Sequence, residues 1–470
     1  MNWHDKKILV LGAGDTGLSV VRWAERVGAR VRIVDSRDTP PTVALLQSRH
    51  PHVELVTGPW QRHDSLFRDA ELIVASPGVA VHGPACDPAI ARARAAGKAI
   101  VGDIELFAWQ QKQLTRADKK APHVIGITGS NGKSTVTAMV GAMCAAAGLK
   151  TVVAGNIGLP VLDALIAAEQ GEVPDCYVLE LSSFQLETTD SLELSAATML
   201  NLSQDHLDRY ASMADYANAK QRIFRHARHQ VLNRDDVVSL AMRDPRLQVT
   251  TFGLDAPPTE EDVGVAQGAL MAGREALMPL AEMPVAGLHN AANAGAAYAL
   301  CRALGLPQAA LIDGLKHFKG LPHRVENVGS VNGVVFFDDS KGTNVGSTVA
   351  ALNGMTQPVI LIAGGDGKQQ DFTPLAGPIH ERAKAVVLIG RDAALIERAV
   401  FAASTAKRPI HAASMMEAVE KAYSCASAGD AVLLSPACAS FDMFKNYKHR
   451  GEVFARCVAD LQARQGRAHV

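Results

Sequence analysis

Twice before Thr135 the chain runs from a short β-branched strand through a glycine-rich turn into a helix, and nothing else in the sequence constrains the fold as much. Ile8-Leu9-Val10-Leu11 leads into Gly12-Ala13-Gly14-Asp15-Thr16-Gly17; His123-Val124-Ile125-Gly126-Ile127 leads into Thr128-Gly129-Ser130-Asn131-Gly132-Lys133-Ser134-Thr135. A strand that ends in glycine before a helix begins is a βα unit of a parallel sheet, so the spacing predicts an α/β protein. In such a unit the glycines let backbone N–H groups approach an anion at the helix N-terminus.

The first loop has the context of a dinucleotide fingerprint, because Asp35 closes the next strand, Val31-Arg32-Ile33-Val34, where a ribose or base would lie. It predicts a nucleotide or nucleotide-sugar diphosphate, with NAD the commonest tenant. The bland alternative is a glycine turn that packs helix on strand and binds nothing. The second loop predicts triphosphate binding: Lys133 and Ser134 are the residues a phosphate loop turns toward β/γ-phosphates and Mg²⁺. It departs from the common spacing, since Gly126 stands one residue early and Ile127 fills the expected glycine position. Glu180 ends the run Cys176-Tyr177-Val178-Leu179, where a carboxylate at a strand's C-terminal edge can hold Mg²⁺.

Two further segments are open by pattern alone. Asp205-His206-Leu207-Asp208-Arg209-Tyr210 sets one imidazole among two carboxylates and an arginine; a hydrogen-bonded structural histidine fits as well as a ligand, and Mg²⁺ prefers oxygen. Lys220, on the helical stretch Tyr216 to Phe224, reads as an ordinary solvated lysine.

At 470 residues the chain has room for three domains, taking roughly 150 residues for each. We expect them at 1–112, 113–321 and 322–470. A polar, charged stretch at 112–122 closed by Pro122 marks the first boundary and Gly320-Leu321-Pro322-His323-Arg324 the second. Pro257 to Ala266 is polar and predicts loops or a small antiparallel addition. The last third carries Val334–Phe337, Val359–Ile362, Ala385–Ile389 and Ala431–Leu434, a further Rossmann-like series.

Composition excludes several classes. Lys+Arg number 47 against 48 Asp+Glu, so no global field draws the protein to nucleic acid or an anionic membrane, and at 5% aromatics a stacking platform for bases is not expected. The seven cysteines are widely spaced without a C-x-x-C pair, which argues against a disulfide framework or structural zinc and for a reducing cytoplasm. The N-terminus leaves no room for a signal peptide, and Ala138 to Leu149 is too short to span a bilayer. A soluble, cytoplasmic protein is expected.

Taken together, the Thr128–Ser134 loop, Gly155-Asn156-Ile157-Gly158, Glu180-Leu181-Ser182-Ser183-Phe184-Gln185 and Asp205–Tyr210 resemble the ATP-dependent Mur ligases of peptidoglycan synthesis, and the resemblance covers essentially the whole chain. Asp338-Asp339-Ser340-Lys341-Gly342-Thr343-Asn344, Gly364-Gly365-Asp366-Gly367-Lys368 and Ser435-Pro436-Ala437-Cys438-Ala439-Ser440-Phe441-Asp442 resemble the members that add D-glutamate.

That resemblance implies three α/β domains: a Rossmann-like N-terminal one, a central P-loop ATPase-like one and a Rossmann-like C-terminal one. It implies an acid–amino-acid ligase that joins D-glutamate to UDP-N-acetylmuramoyl-L-alanine through an acyl phosphate, with ATP and Mg²⁺, as a monomer. NAD then drops out. Asp15, Thr16, Asp35, Ser36, Ser76, Gly78 and Asn156 would contact the UDP-sugar. Gly129, Ser130, Asn131, Gly132, Lys133, Ser134, Thr135, Asn293, Arg324 and Asp339 would hold ATP. Lys341, Thr343, Lys368, Ser440 and the backbone of Tyr447 would surround D-glutamate. Lys133, His206 and Lys220 would be catalytic, and Ser134, Glu180, His206 and Lys220 would hold metal, the last as an N-carboxylysine. Closure of the C-terminal domain about Leu321 would gate the reaction. Two readings compete with this one: a nicotinamide oxidoreductase resting on Gly12–Gly17 with Asp35, and a non-catalytic nucleotide sensor.

Overall fold

The computed structural model describes residues 2–114, 120–285, 287–401 and 408–468. The linker expected at 112–122 therefore lies partly, at 115–119, outside the described residues.

Three sheets carry the chain. The first joins β1 (Lys7–Leu11), β2 (Arg30–Asp35), β3 (Glu54–Thr57), β4 (Leu72–Ala75) and β5 (Ile100–Val101) in the order β3-β2-β1-β4-β5. Every pairing in it is parallel. The second holds β6 (His123–Thr128), β7 (Thr151–Gly155), β8 (Cys176–Glu180), β9 (Ala196–Met199), β10 (His229–Asn233), β11 (Gln248–Phe252), β12 (Val263–Ala266), β13 (Ala269–Ala272) and β14 (Glu275–Pro279). Its nine strands run β14-β13-β12-β11-β10-β9-β6-β8-β7. From β6 to β11 the pairings are parallel, and β12 turns back on β13 as an antiparallel hairpin, the addition expected after Pro257.

The third sheet takes β15 (Glu326–Val331), β16 (Val334–Asp338), β17 (Val359–Gly364), β18 (Ala383–Ile389), β19 (Ile410–His411) and β20 (Ala431–Leu434) in the order β15-β16-β20-β17-β18-β19. Only β15 pairs antiparallel there. Its central strands read as unbroken apolar runs, and all of β17 is buried, because helices cover both faces of a parallel sheet.

Two compact units result. One comprises Met1–Leu202, His206–Met278 and Ala294–Lys316; the other comprises Ser203–Asp205, Pro279–Asn293 and His317–Val470. The first two sheets share a unit because one apolar core runs through both. Phe107, on the helix Asp103–Gln111 that follows the first sheet, meets Tyr177 of β8 edge to face with centroids 5.2 Å apart. Each such buried side chain is worth roughly 1.5–3 kcal/mol. Arg22 adds a bidentate bond to Asp163, with its Nε 2.8 Å from Oδ1.

Parallel strands place ligand-binding loops beyond their carboxyl ends. In the first unit those ends deliver the Gly12 loop after β1, the Gly129 loop after β6 and Glu180 on β8; in the second they deliver Asp338 and Asp339 after β16 and Ser435 after β20. Among the described residues no helix is long and apolar enough to cross a membrane.

Candidate active site

The phosphate loop is built from its glycines upward. Gly129 has φ +152° and Gly132 φ +82°, and Gly132 caps the helix Lys133–Ala146 without any side-chain hydrogen bond. The first-turn N–H groups point toward the loop, with the positive end of the helix behind them. Lys133 Nζ lies folded over the loop, donating to the carbonyls of Gly129 and Ser130 at 2.8 Å each. Ser134 and Thr135 are buried in the first turn. The early glycine is a packing residue: a Cβ on Gly126 would stand 2.6 Å from Leu194 Cδ1.

Asn201, which the sequence reading missed, fixes this loop. Its carbonyl accepts from Ser130 N–H at 2.9 Å, its Oδ1 accepts from Asn131 N–H at 2.8 Å, and its Nδ2 donates to the Asn131 carbonyl at 3.1 Å. The available signal was its place just past β9, the strand paired with β6.

Lys220 overturns its reading as a solvated side chain. It is 1% exposed, its Nζ donates to the Gly129 carbonyl at 2.8 Å and lies 4.7 Å from the centre of the Tyr216 ring. The helix Met213–Gln221 points it inward, and the Tyr216 hydroxyl is 3.2 Å from Ser130 Oγ. His206 joins the same group. Its ring lies 4.7 Å from Phe184 and 5.9 Å from Tyr216, and its backbone is left-handed at φ +57°. The N–H groups of Arg209 and Tyr210 donate to its carbonyl at 3.0 Å each and pin that turn.

Glu180 is 1% exposed and pairs in register with Ile127 at the end of β6. Asn156 Nδ2 donates to its Oε1 at 2.7 Å, while Oε2 is buried with no hydrogen-bond partner among the described residues. A buried carboxylate oxygen without a donor is costly unless a cation meets it. Glu180, at a strand end, and Ser134, in the first turn of the helix after the neighbouring strand, are oxygen donors and therefore fit Mg²⁺.

In the first sheet, Gly17 lets the helix Asp15–Arg26 sit against its strand, since a Cβ there would lie 2.0 Å from the Gly12 carbonyl oxygen. Asp15 and Ser36 are exposed at the strand ends, Thr16 is half-buried, Gly78 is exposed, and Ser76 Oγ donates to the Gly12 carbonyl at 3.1 Å. Asp35 is occupied from within. Ala13 N–H donates to Oδ2 at 2.7 Å, Arg37 N–H to Oδ1 at 2.9 Å, and the Arg37 guanidinium to both oxygens at 2.8 and 2.6 Å. Burial alone pushes this carboxyl up, but the Arg37 side chain and the two N–H groups outweigh it and hold the pKa below the usual range. A carboxylate offers about four acceptor sites, and these donors take them, so the hydroxyl-accepting role that NAD would ask of Asp35 finds no free lone pair.

The second unit collects the remaining residues in its own loops. Asp339 is buried, accepts from Ser435 Oγ at 2.7 Å, and burial pushes its pKa up to about 7 against the pull of Ser435 and of the Arg324 charge. Arg324 stands between two left-handed residues, His323 at φ +62° and Val325 at φ +49°. His323 is held by Asp338, with Nδ1 2.7 Å from Oδ2. Lys341 Nζ lies 4.0 Å from the centre of the Tyr447 ring, and Thr343 N–H donates to the Lys341 carbonyl at 2.8 Å. Lys368 is exposed at φ +48°. Ser440 is 1% exposed, and its hydroxyl has no partner among the described residues. Asn293 Nδ2 donates to Asn290 Oδ1 at 3.2 Å. Arg450, also missed, is buried and donates to the carbonyls of Ser340 and Cys438 at 2.8 and 3.0 Å, which ties the Lys341 loop to the Ser440 loop.

Lys133, Ser134, Glu180, Asn156, His206 and Lys220 are thus carried by one unit, and Asn293, Arg324, Asp339, Lys341, Thr343, Lys368, Ser440 and Tyr447 by the other. A phosphate loop with a strand-end carboxylate, followed by a second α/β unit rich in polar loops, defines a nucleotide-dependent ligase architecture, and the chain belongs to the Mur ligase family. Residues 6–102 match the Mur ligase MurD-like N-terminal domain, 127–301 the Mur ligase middle domain and 323–438 the Mur ligase glutamate ligase domain.

Within the family the chain is similar to the UDP-N-acetylmuramoylalanine–D-glutamate ligase of Thiobacillus denitrificans, 55% identical over 469 residues, covering 98% of this chain and 97% of that one. The enzyme of the same name from Methylobacillus flagellatus is 53% identical, covering 98% of each. Among solved structures, the fold is shared with UDP-N-acetylmuramate–alanine ligase from Thermotoga maritima at a TM-score of 0.58 and 20% identity, over 97% of this chain and 99% of that one. It is also shared with Mycobacterium tuberculosis folylpolyglutamate synthase complexed with ADP, at 0.55 and 18%, over 75% and 94%.

Proposed function

We infer that the protein is the ATP-dependent ligase that joins D-glutamate to UDP-N-acetylmuramoyl-L-alanine in peptidoglycan precursor synthesis. The observation that carries this is the 55% identity over 98% of this chain. A carboxylate is a poor electrophile, so amide formation at neutral pH needs one of its oxygens made into a leaving group. The alanyl carboxylate oxygen attacks the γ-phosphorus of ATP, the bond to the bridging β,γ-oxygen breaks, and ADP departs with that electron pair. The product is an acyl phosphate. The neutral amine of D-glutamate then adds to the acyl carbon, inorganic phosphate leaves, and the nitrogen gives up its extra proton.

Two like charges 4 Å apart repel by about 4 kcal/mol at an effective dielectric near 20, so bringing these anions together requires cations and N–H donors. Lys133 releases its two loop carbonyls to meet the phosphates, and the first-turn N–H groups of its helix bind them. ATP is contacted by Gly129 to Thr135, with Asn293, Arg324 and Asp339 completing its site. Ser134 and Glu180, with His206 and an N-carboxylated Lys220, would hold Mg²⁺, which supplies charge neutralisation when bound. Asp15, Thr16, Ser36, Ser76, Gly78 and Asn156 bind the UDP-sugar, with Asp35 beside the uracil and its oxygens held by Ala13 and Arg37. Lys341, Thr343, Lys368, Ser440 and the Tyr447 backbone bind D-glutamate.

We place the enzyme in the cytoplasm as a monomer that needs neither nucleic acid nor a membrane; all seven cysteines are free thiols. The test is ADP release from UDP-N-acetylmuramoyl-L-alanine with a panel of amino acids. D-glutamate alone should support turnover, and ¹⁸O in the alanyl carboxyl should appear in the released phosphate. Turnover with L-lysine instead, or unlabelled phosphate, would overturn the reading.

A further inference from the structure

Arg209 is nearly as buried as the core around it, with a side chain 7% exposed, yet none of the ligand contacts above uses it. Its two terminal nitrogens donate in three directions, while Nε has no hydrogen-bond partner among the described residues. Nη1 donates to the carbonyl of Pro77 at 2.8 Å, and Nη2 reaches the carbonyl of Val79 at 3.3 Å and Glu187 Oε2 at 2.9 Å. The plane also lies over the Phe184 ring, 3.9 Å from its centre. Glu187 is itself 8% exposed, so the charge is neutralised locally and the two carbonyl bonds stay free to act on the loop.

The carbonyls belong to the turn after β4. Ser76, Pro77, Gly78 and Val79 form it: Val79 N–H donates to the Ser76 carbonyl at 2.9 Å, and Ser76 Oγ donates to the Gly12 carbonyl at 3.1 Å. Arg209 lies three residues past His206, and its own N–H donates to the His206 carbonyl at 3.0 Å. The Phe184 ring beneath its guanidinium is the ring that His206 meets at 4.7 Å. One side chain therefore ties the turn beside the first glycine loop to the segment that carries His206.

We propose that Arg209 is a positioning residue for the sugar-nucleotide substrate: it holds the Ser76–Val79 turn in register with His206, so that the nucleotide end and the reacting end of one long substrate are fixed at a set separation. This rests on the reading that Ser76 and Gly78 contact the UDP-sugar. The planar fork matters as much as the charge. Two carbonyls, a carboxylate and an aromatic face are met at once by a guanidinium, and an ammonium can satisfy only part of that set.

The experiment is calorimetric binding of UDP-N-acetylmuramoyl-L-alanine and, separately, of a non-hydrolysable ATP analogue to the full chain and to Arg209→Met and Arg209→Lys, with thermal unfolding of each. Arg209→Met should weaken sugar-nucleotide binding at least tenfold and leave the ATP analogue within about twofold. Arg209→Lys, which keeps a positive charge beside Glu187, should fold as the parent does and still weaken sugar-nucleotide binding severalfold; it carries the test if the methionine variant does not fold. Equal weakening of both ligands, or parent-like sugar-nucleotide binding by Arg209→Lys, would overturn the proposal. If the parent itself does not bind the sugar nucleotide, the functional reading fails first, and the two failures are told apart.

Discussion

Asp103 offers the sharpest test of how the first unit is held together. It opens the helix Asp103–Gln111, is 3% exposed, and has an Oδ1 with no partner among the described residues. Its Oδ2 meets the Gln185 amide at 3.4 Å, a long contact. Burial accordingly pushes its pKa from 3.8 up to about 6, against the weaker pull of the Ile104 N–H and Gln185. A folded-state value above the unfolded one means that the fold prefers the protonated acid, so this contribution is complete below about pH 4 and lost as pH rises through 6.

At about 1.4 kcal/mol per unit, the loss by pH 8 approaches ~3 kcal/mol. Asp103→Asn cannot ionise and escapes it. The variant should therefore gain on the parent between about pH 3 and pH 7, most steeply from about pH 4 to pH 6, by up to about 3 kcal/mol in all and with little further change above about pH 7, whatever constant offset the new amide brings. Urea unfolding followed by tryptophan fluorescence suits the measurement, because Trp109 on the same helix stacks on Trp3 at 5.8 Å. A stability gap that does not change with pH would refute the reasoning.

Substitutions at three other positions probe the site. Gly155→Ala puts a Cβ 2.3 Å from the Glu180 carbonyl oxygen at φ +109°; strain and overpacking of ~1–3 kcal/mol each should lower the melting temperature and raise the Mg²⁺ needed for half-maximal turnover, and an unchanged melting temperature counts against it. Ser440→Ala removes a buried hydroxyl that has no partner among the described residues, so stability should hold or rise while the KM for D-glutamate climbs by about tenfold for a lost bond of ~1.4 kcal/mol; a destabilised protein with normal KM would show the hydroxyl is structural. Lys368→Gly and Lys368→Ala should impair D-glutamate binding alike, but at φ +48° the glycine variant should be the more stable by ~1–2 kcal/mol in denaturant melts, and the reverse order would mean that residue is not held left-handed.

What the sequence made legible was whatever is written locally. The two glycine loops, the strand-end position of Glu180 and the antiparallel addition after Pro257 all follow from spacing within one βα unit or one hairpin, and they stand where that spacing puts them. What stayed hidden depends on where distant segments meet. Lys220 has the sequence of a surface lysine, and only the approach of its helix to the Gly129 carbonyl buries it. Asn201 and Arg450 carry no motif that distinguishes them from loop polar residues, and Arg209 stands in a motif read for its histidine, yet each closes a turn far from it in sequence. Asp35 shows the opposite case: the fingerprint expects a ribose or base contact there, while Arg37, two residues on, donates to both of its oxygens.

Backbone conformation links these cases. Of the described non-glycine residues with positive φ, His206, His323, Val325, Lys368, Gln369 and Ala437 lie in or beside the motifs that carry the site, whereas Asp5, Gln267 and Asn332 do not. A left-handed side chain costs roughly 1–3 kcal/mol, and a β-branched residue such as Val325 is the least tolerant of all. Glycine would relieve every one of them. That side chains persist at these turns means that something else holds them, and the holding bonds are visible: two N–H groups on the His206 carbonyl, the Asp338 carboxylate on the His323 ring, and the Asp366 carboxylate on the Lys368 N–H at 3.1 Å. The strain is local, but its restraint is supplied by neighbouring turns within each unit. Loosening a restraint should therefore disturb ligand geometry before it disturbs the fold, which is why the substitutions above separate binding from stability.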